Sequence, residues 1–155
     1  GAVNMELVAE QFQWRARYSG PDQKLGGHDY RLIRGENLLG VDTQDQAAQD
    51  DQGIAGVEYY FPVNRQVNIH IRAKDVLHGV YMPHFRVQMY AVPGMPTQFA
   101  FTPTMTTAEM RKKLNKPDFE FELACSQLCG SAHWNMRRVV RIVTDEEYAA
   151  WLDKK

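Results

Sequence analysis

Apolar and polar side chains alternate through much of this chain, and a period of two residues is typical of β-strands with one buried face. In the first run, Phe12, Trp14, Ala16 and Tyr18 alternate with Gln or Arg residues. Similar alternation occurs at residues 67–72, 85–91 and 119–124, and residues 138–143 form a further apolar run. The pattern therefore predicts a protein built mainly of short strands.

Two short helices are predicted from the signals at their N-termini. Thr106 is followed three positions later by Glu109, and Thr144 by Glu147, which is the spacing of a capping box. Residues 40–56 are rich in Asp, Gln and Ala and are predicted to form a long polar loop. We find no repeat and no second domain. Residues 1–155 are therefore predicted to form one all-β domain, a Greek-key sandwich or barrel with short helical segments.

Composition and charge restrict the possible partners. The 155 residues are 44% hydrophobic and 24% charged, with a formal net charge of -1. This balance is typical of a globular protein and gives no overall attraction for nucleic acid or an acidic membrane surface. No apolar stretch approaches the roughly 20 residues that span a bilayer.

The segment with the clearest chemistry is residues 125–136, Cys-Ser-Gln-Leu-Cys-Gly-Ser-Ala-His-Trp-Asn-Met. Thiolate and thioether are soft ligands, and together with imidazole they favour copper over magnesium or calcium. The order Cys129, His133, Met136 is that of a blue-copper loop, in which the thioether is a weak axial ligand. Such a site needs a second histidine, and His78, in a turn after the predicted strand 67–72, is the best candidate.

The second cysteine, Cys125, changes this interpretation. Two thiolates can bridge two copper ions, which leaves one histidine for each metal and lets both metals share one electron. Met136 would then be the weak ligand of one copper. The main-chain carbonyl of Gln127, between the two cysteines, is well placed to be the weak ligand of the other copper. Leu128 and Trp134 are expected to bury the metal pair and limit its contact with solvent.

Other interpretations of these residues remain open. Cys-x-x-x-Cys alone is compatible with a disulfide or with two buried thiols. Structural zinc sites use cysteine and histidine without methionine, so Met136 disfavours zinc. Of the other histidines, His70 and His28 are predicted to face solvent. His84 is a weaker candidate, more suited to supporting a ligand than to binding the metal.

These motifs resemble the dinuclear copper A (CuA) domain of cytochrome c oxidase subunit II. Residues 125–136, called the cysteine loop below, match that family's metal-binding loop. Residues 74–83, Lys-Asp-Val-Leu-His-Gly-Val-Tyr-Met-Pro, resemble the segment that carries its first histidine ligand. Residues 63–65, 85–87 and 92–94 also fit its pattern, and the resemblance extends from residue 6 to 143. It implies a cupredoxin fold that carries electrons from cytochrome c, or a fused cytochrome c domain, to the haem–copper subunit I.

The resemblance also implies where the domain is located and which part of the oxidase reaction it performs. In the family this domain follows a transmembrane helix hairpin, which is absent here, and it faces the periplasmic side of the bacterial inner membrane. The chain therefore resembles the excised soluble part of an oxidase subunit. The isolated domain would only transfer electrons, whereas the reduction of oxygen to water would belong to another subunit.

The chain departs from the family pattern at two positions. The family usually has Glu between the cysteines, and its carboxylate helps to hold magnesium. Here the residue is Gln127, which lacks that carboxylate, so the resemblance does not extend to a magnesium ligand. The family's electron-accepting aromatic region is often Trp-aromatic-Trp, whereas this chain has Phe12-Gln13-Trp14. Trp14 and Phe12 are the candidates for the point where electrons enter.

Two other functions are compatible with this loop. One is the copper A domain of another reductase, such as nitrous oxide reductase, although that family carries a large propeller in the same chain. The other is a copper carrier, although a closed set of donors argues against easy release of the metal.

Overall fold

The computed structural model describes residues 1–54 and 56–155, and strands dominate this part of the chain. The described residues form ten strands, two α-helices and four short 3-10 turns. The strands are β1 (Val3–Glu10), β2 (Gln13–Tyr18), β3 (Gln52–Ile54), β4 (Glu58–Pro62), β5 (Val67–Ala73), β6 (His78–Met82), β7 (Val87–Ala91), β8 (Thr97–Phe101), β9 (Phe121–Cys125) and β10 (Arg138–Val143). The helices are α1 (Thr107–Leu114) and α2 (Asp145–Leu152).

The strands form two five-stranded sheets, in the orders β3-β2-β1-β5-β8 and β4-β10-β9-β6-β7. Each sheet is mixed, because β1 runs parallel to β5 and β4 runs parallel to β10, while the other pairs are antiparallel. Buried side chains of both sheets join one core, with Leu7 and Ile69 from the first sheet and Tyr59 and Leu123 from the second. The prediction of an all-β sandwich is confirmed.

Most predicted strands are present, with shifted ends. Strands β2, β5 and β10 lie where the apolar pattern predicts them. Phe85, by contrast, belongs to the 3-10 turn Pro83–Phe85, and Phe119 precedes β9. Strands β1, β4, β6 and β8 were not predicted.

The expectation of an unbroken polar loop over residues 40–56 was wrong. This segment contains the 3-10 turn Gln46–Ala48 and strand β3, which pairs with β2 through Ala16 and Ile54. Asp45 begins the 3-10 turn by accepting a hydrogen bond from the main-chain N–H of Ala47. The polar composition of this segment therefore reflects turn-forming side chains around a short edge strand.

Strand β1 has a buried charged residue, Glu6, whose carboxylate forms ion pairs with arginines of the neighbouring strands. Glu6 and Arg17 are only 2% and 3% exposed, and their side chains meet at 2.9 Å. Arg72, on the neighbouring β5, reaches the other oxygen of Glu6 at 2.6 Å. Burial of a charge is tolerated where a partner and hydrogen bonds compensate for lost hydration.

Both predicted capping boxes are present. Thr106 and Glu109 cap α1, and Thr144 and Glu147 cap α2, each through reciprocal side-chain and main-chain hydrogen bonds. Helix α2 packs against β4, where the ring of Trp151 stacks on that of Tyr60 with centroids 4.7 Å apart. Among residues 1–54 and 56–155, neither helix has the length and apolar character required to cross a membrane.

Candidate metal centre

Two neighbouring strands of the second sheet place the first donors. His78 is the first residue of β6, and Cys125 is the last residue of β9. The two strands are antiparallel, with Val80 opposite Cys125, so the imidazole and the thiol lie at the same end of the sheet. His78 was expected in a turn; instead it begins a strand, and its side chain is fully buried.

The segment between β9 and β10 returns the remaining predicted donors to the same place. The Sγ atom of Cys129 lies 3.9 Å from that of Cys125, 3.5 Å from His133 Nδ1 and 3.5 Å from Met136 Sδ. His133 lies in a 3-10 turn, His133–Asn135, which brings Met136 back over the cysteines. Residues 125–136 thus bring both cysteine thiols, an imidazole and a thioether together.

The first cysteine has its own pair of neighbours. Cys125 Sγ lies 3.9 Å from His78 Nδ1 and 3.1 Å from the carbonyl oxygen of Gln127. The six predicted donors therefore form two sets, each with one thiol, one imidazole nitrogen and one weaker donor, which is the Gln127 carbonyl in one set and the Met136 thioether in the other. This division is the arrangement that two metal ions sharing both sulfurs require.

The sulfur spacing fits a shared metal better than a disulfide. Both cysteines are free thiols, and a separation of 3.9 Å is well above the S–S bond length of about 2.05 Å. Two thiolates that bind one tetrahedral ion at about 2.3 Å lie about 3.8 Å apart. Of the His, Cys, Asp and Glu side chains in the described ranges, His78, Cys125 and Cys129 form the group suited to a metal.

The Cys129 thiol resists ionisation in the metal-free protein. Burial, and then the neighbouring Cys125, raise the pKa of Cys129 to about 11. A buried thiol beside another sulfur therefore stays protonated at neutral pH in the absence of a metal. Metal binding displaces such protons, because the thiolate is the form that coordinates.

Asp75 supports His78 and was missed from the sequence. Its Oδ1 lies 2.9 Å from His78 Nε2, which leaves Nδ1 directed toward Cys125. A carboxylate on the far nitrogen fixes the ring orientation of a ligating histidine and makes it a stronger donor. The available signal was an Asp three residues before the histidine within residues 74–83.

The two candidates for electron transfer lie beside the donors. Trp14 is 3% exposed, its ring centroid lies 6.3 Å from that of His78, and its indole N–H bonds the carbonyl oxygen of Met136. Phe12 is half-buried and packs against the cysteine loop at Gly130. Each aromatic side chain therefore contacts a segment that carries a donor.

The expectation that Leu128 and Trp134 bury the centre was wrong. Their exposed fractions are 80% and 78%, because both side chains point away from the sheets at the loop surface. The donors are covered from the core side instead, where Trp14 and Met136 are buried. Leu128 and Trp134 thus give the outer surface of the loop an apolar character.

The remaining histidines lie apart from this group. His70 is exposed, as predicted. His28 lies at the surface with Nδ1 3.4 Å from a Glu6 oxygen. His84 is exposed, and its ring contacts Phe119 and Phe121 edge-on, with centroids 5.1 and 5.5 Å away. These positions give His84 an aromatic environment and no contact with the six donors.

Comparison with known proteins points to one family. The family model "Cytochrome C oxidase subunit II, periplasmic domain" matches residues 5–143. An alternative cytochrome c oxidase subunit 2 of Bradyrhizobium diazoefficiens is 36% identical over 154 residues, covering 99% of this chain and 51% of the relative. A cytochrome c oxidase subunit 2 of Cereibacter sphaeroides is 28% identical over 155 residues, covering 92% of this chain and 46% of the relative. The chain thus spans about half the length of these relatives.

Solved structures agree with this result. The periplasmic domain of cytochrome oxidase subunit II from Bradyrhizobium japonicum is 25% identical, with a TM-score of 0.62 over 98% of this chain and 91% of that one. A subunit II captured in a mixed disulfide with a thioredoxin-like protein is 25% identical, with a TM-score of 0.58 over 98% of this chain and 89% of that one.

Proposed function

The chain belongs to the cytochrome c oxidase subunit II family, and on this basis we propose that it passes single electrons through a pair of copper ions into a terminal oxidase. The observation that carries the proposal is the division of six donors around two sulfurs 3.9 Å apart. A single blue-copper ion needs one thiolate, whereas here each thiolate has its own imidazole and its own weaker donor.

The proposed ligands are those that the sequence predicts. Cys125 and Cys129 would bridge the metals, with His78 and His133 as the imidazole donors. Met136 and the carbonyl oxygen of Gln127 would be the weak donors. When bound, the copper pair supplies a one-electron redox couple shared between two metals. The donor set of soft sulfur and borderline nitrogen fits copper.

The protein's contribution is to hold these donors in place and to bury four of the six. His78 and Met136 are at most 1% exposed, and both cysteines are below 10%, at 8% and 6%. Asp75 fixes the ring of His78, and Trp14 fixes the carbonyl of Met136. Donors that do not move when an electron arrives keep the energetic cost of the transfer small, and buried donors limit the rearrangement of water.

The surface of the cysteine loop is the proposed contact for the electron donor. Leu128 and Trp134 present apolar area directly outside the candidate ligands. The proposed donor is cytochrome c or a fused cytochrome c domain, with Phe12 or Trp14 on the path, and the acceptor is the haem–copper subunit I. The isolated domain makes and breaks no bonds, so oxygen reduction is assigned to that other subunit.

The proposed location is the periplasmic face of a bacterial inner membrane. It is supported by the match to a periplasmic domain over most of the chain. The attachment to the membrane would come from an N-terminal transmembrane region, as in the family.

We further propose that the two thiols must be kept reduced before copper binds. Cys125 and Cys129 need to approach by only about 2 Å to form a disulfide, and one solved relative was captured in a mixed disulfide with a thioredoxin-like protein. Protein oxidised to the disulfide should load no copper until a dithiol reductant is added. Equal copper loading without the reductant would contradict this requirement.

Copper stoichiometry together with paramagnetic resonance tests the main proposal. The reduced protein, loaded anaerobically and then oxidised, should hold two copper ions and give a purple species with a seven-line pattern. One copper with a four-line pattern would indicate a mononuclear centre. Copper that exchanges rapidly with a chelator, with no shared-electron signal, would favour a carrier.

A further inference from the structure

The turn between β1 and β2 contacts both chain segments that carry the candidate ligands. This turn consists of Gln11 and Phe12. The main-chain N–H of Gln11 donates to Asp75 Oδ2 at 2.7 Å, and its side-chain Nε2 donates to the carbonyl oxygen of Cys129 at 2.7 Å. One residue therefore links the histidine segment to the cysteine loop.

The link to the histidine continues through a single side chain. The second oxygen of Asp75, Oδ1, lies 2.9 Å from His78 Nε2. Gln11 thus fixes the carboxylate that fixes the imidazole. Through its amide side chain, the same residue fixes the main chain at Cys129.

The cysteine loop also passes directly against this turn at Gly130. Gly130 has φ +146, and a Cβ atom there would lie 2.7 Å from Phe12 Cε1 and 2.9 Å from Gln11 Nε2. A glycine is needed both for this backbone conformation and for this close approach. Gly130 of the cysteine loop therefore packs closely against both residues of the turn, Gln11 and Phe12.

The two cysteines differ in what else holds them. Cys125 is part of β9 and pairs with Val80 of β6, so the second sheet fixes its position. Cys129 lies between β9 and β10, outside the strands. The hydrogen bond from Gln11 Nε2 to the carbonyl oxygen of Cys129 connects Cys129 to the turn between β1 and β2 of the first sheet.

We propose that Gln11 is a positioning residue, and that the Gln11–Phe12 turn clamps the His78 segment and the Cys129 segment at a fixed separation. The clamp acts on the protein with or without metal. Its consequence for copper rests on the proposed function: it holds Cys129 and His78 in the same relative position in both redox states.

Thiol alkylation of the metal-free protein tests the clamp without copper. In Gln11→Ala, iodoacetamide at one fixed pH should modify Cys129 about two- to tenfold faster, the range expected when one hydrogen bond is lost. The rate at Cys125 should not change, because the sheet holds it. Equal acceleration of both thiols, or none, would overturn the proposal.

Gln13→Ala is the matched control. Gln13 lies two residues away, and its side chain donates to Glu10 Oε1 at 2.9 Å instead of to a ligand loop. This variant should leave the alkylation rates of both thiols unchanged. Gln11→Met is the second probe, because it keeps a side chain of similar length and no charge but removes the N–H donor to the Cys129 carbonyl. It should accelerate alkylation of Cys129 about as much as Gln11→Ala, and a rate equal to that of the unaltered protein would overturn the clamp.

Copper-loaded protein gives a second, separable readout. Gln11→Ala should keep two copper ions but change the hyperfine pattern and the reduction potential, whereas Gln13→Ala should change neither. A Gln11→Ala centre identical to that of the unaltered protein would overturn the consequence for copper. If the unaltered protein binds no copper pair, the proposed function fails while the alkylation rates still decide the clamp.

Discussion

The indole N–H of Trp14 donates a hydrogen bond to the main-chain carbonyl oxygen of Met136, and the two atoms lie 3.0 Å apart. Trp14 belongs to the first sheet, whereas Met136 ends the cysteine loop of the second. The bond is buried, so it holds the last candidate ligand to the opposite sheet in a region without access to water. The segment that carries the candidate ligands is therefore also hydrogen-bonded to the opposite sheet.

Loss of this bond should destabilise the protein. Trp14→Phe leaves the Met136 carbonyl buried without its donor, which costs about 1–3 kcal/mol, in addition to the loss from a smaller side chain. Urea unfolding measures the difference. Trp134→Phe is the control, because Trp134 is 78% exposed and a substitution there should stay within about 0.5 kcal/mol. Equal destabilisation by both changes would contradict the importance of the hydrogen bond.

Removal of one sulfur should destroy the shared centre. Cys125→Ser replaces the proposed bridging thiolate by a hydroxyl, which is a poor ligand for copper at neutral pH. We expect at most one copper per chain and loss of the purple colour, measured by metal analysis and absorption. Two coppers with an unchanged spectrum would contradict the role of Cys125 as a bridge.

Met136 should tune the centre without being needed to retain it. A thioether is a weak donor, and its loss stabilises the more electron-rich reduced state, so Met136→Leu should raise the reduction potential while two coppers remain. Leucine is similar in volume, so stability should fall by less than about 1.5 kcal/mol. Voltammetry and metal analysis test this expectation. Loss of both coppers would show that Met136 has a stronger structural role.

The side chain of Gln127 should be dispensable for copper binding. Its carbonyl oxygen, not its amide, lies 3.1 Å from Cys125 Sγ, so Gln127→Ala should keep both coppers and nearly the same potential. Gln127→Glu places a negative charge near the metals and should lower the potential modestly, since solvent screens a half-buried group. Loss of one copper in Gln127→Ala would instead identify the amide as a ligand.

His28 should make the protein less stable in mild acid. Partial burial, and then Arg72, lower the pKa of His28 below its ordinary value of 6.5, against the opposing effect of Glu6. The unfolded chain therefore takes up a proton first as the pH falls through about 6.5, and folding stability decreases there. Of the other charged neighbours, Arg17 lowers the pKa of His28 further and Asp29 raises it.

Urea unfolding at about pH 7.5 and about pH 5.5, on either side of the ordinary value, measures this effect. His28→Gln should lose less stability between the two conditions than the unaltered protein. His70→Gln, on the exposed face of β5, is the control and should keep the original pH dependence. An equal pH dependence in both variants would contradict the role of His28.

The sequence was most informative where one local pattern determines the structure. The capping boxes at Thr106 and Thr144 predicted both helices, since a capping box needs only two residues three positions apart. The alternation in residues 67–72 predicted β5 because one face of that strand is apolar. The donor loop was also recognisable, since five of its six proposed ligands lie within residues 125–136.

The sequence was least informative where distant residues cooperate. Strand β1 was missed because Glu6 and Glu10 interrupt its apolar pattern. The burial of Glu6 depends on its ion pairs with Arg17 and Arg72 in other strands. The contact of Gln11 with Cys129 joins residues 118 positions apart. The exposure of Leu128 and Trp134 depends on the path of the loop, which their apolar character does not specify.

The order in which the strands occur along the chain has a consequence for biosynthesis. All five strands of the first sheet lie before residue 102, whereas β9 and β10 of the second sheet come after residue 120. A chain made from its N-terminus can thus complete the first sheet before β10, the strand that pairs with β4 in the second sheet, has been made. His78 emerges 47 residues before Cys125, and no sulfur of the centre exists until then. A nascent chain that has not reached Cys125 therefore lacks both thiols of the proposed copper site, so on the proposed function copper binding follows the synthesis of residues 125–136.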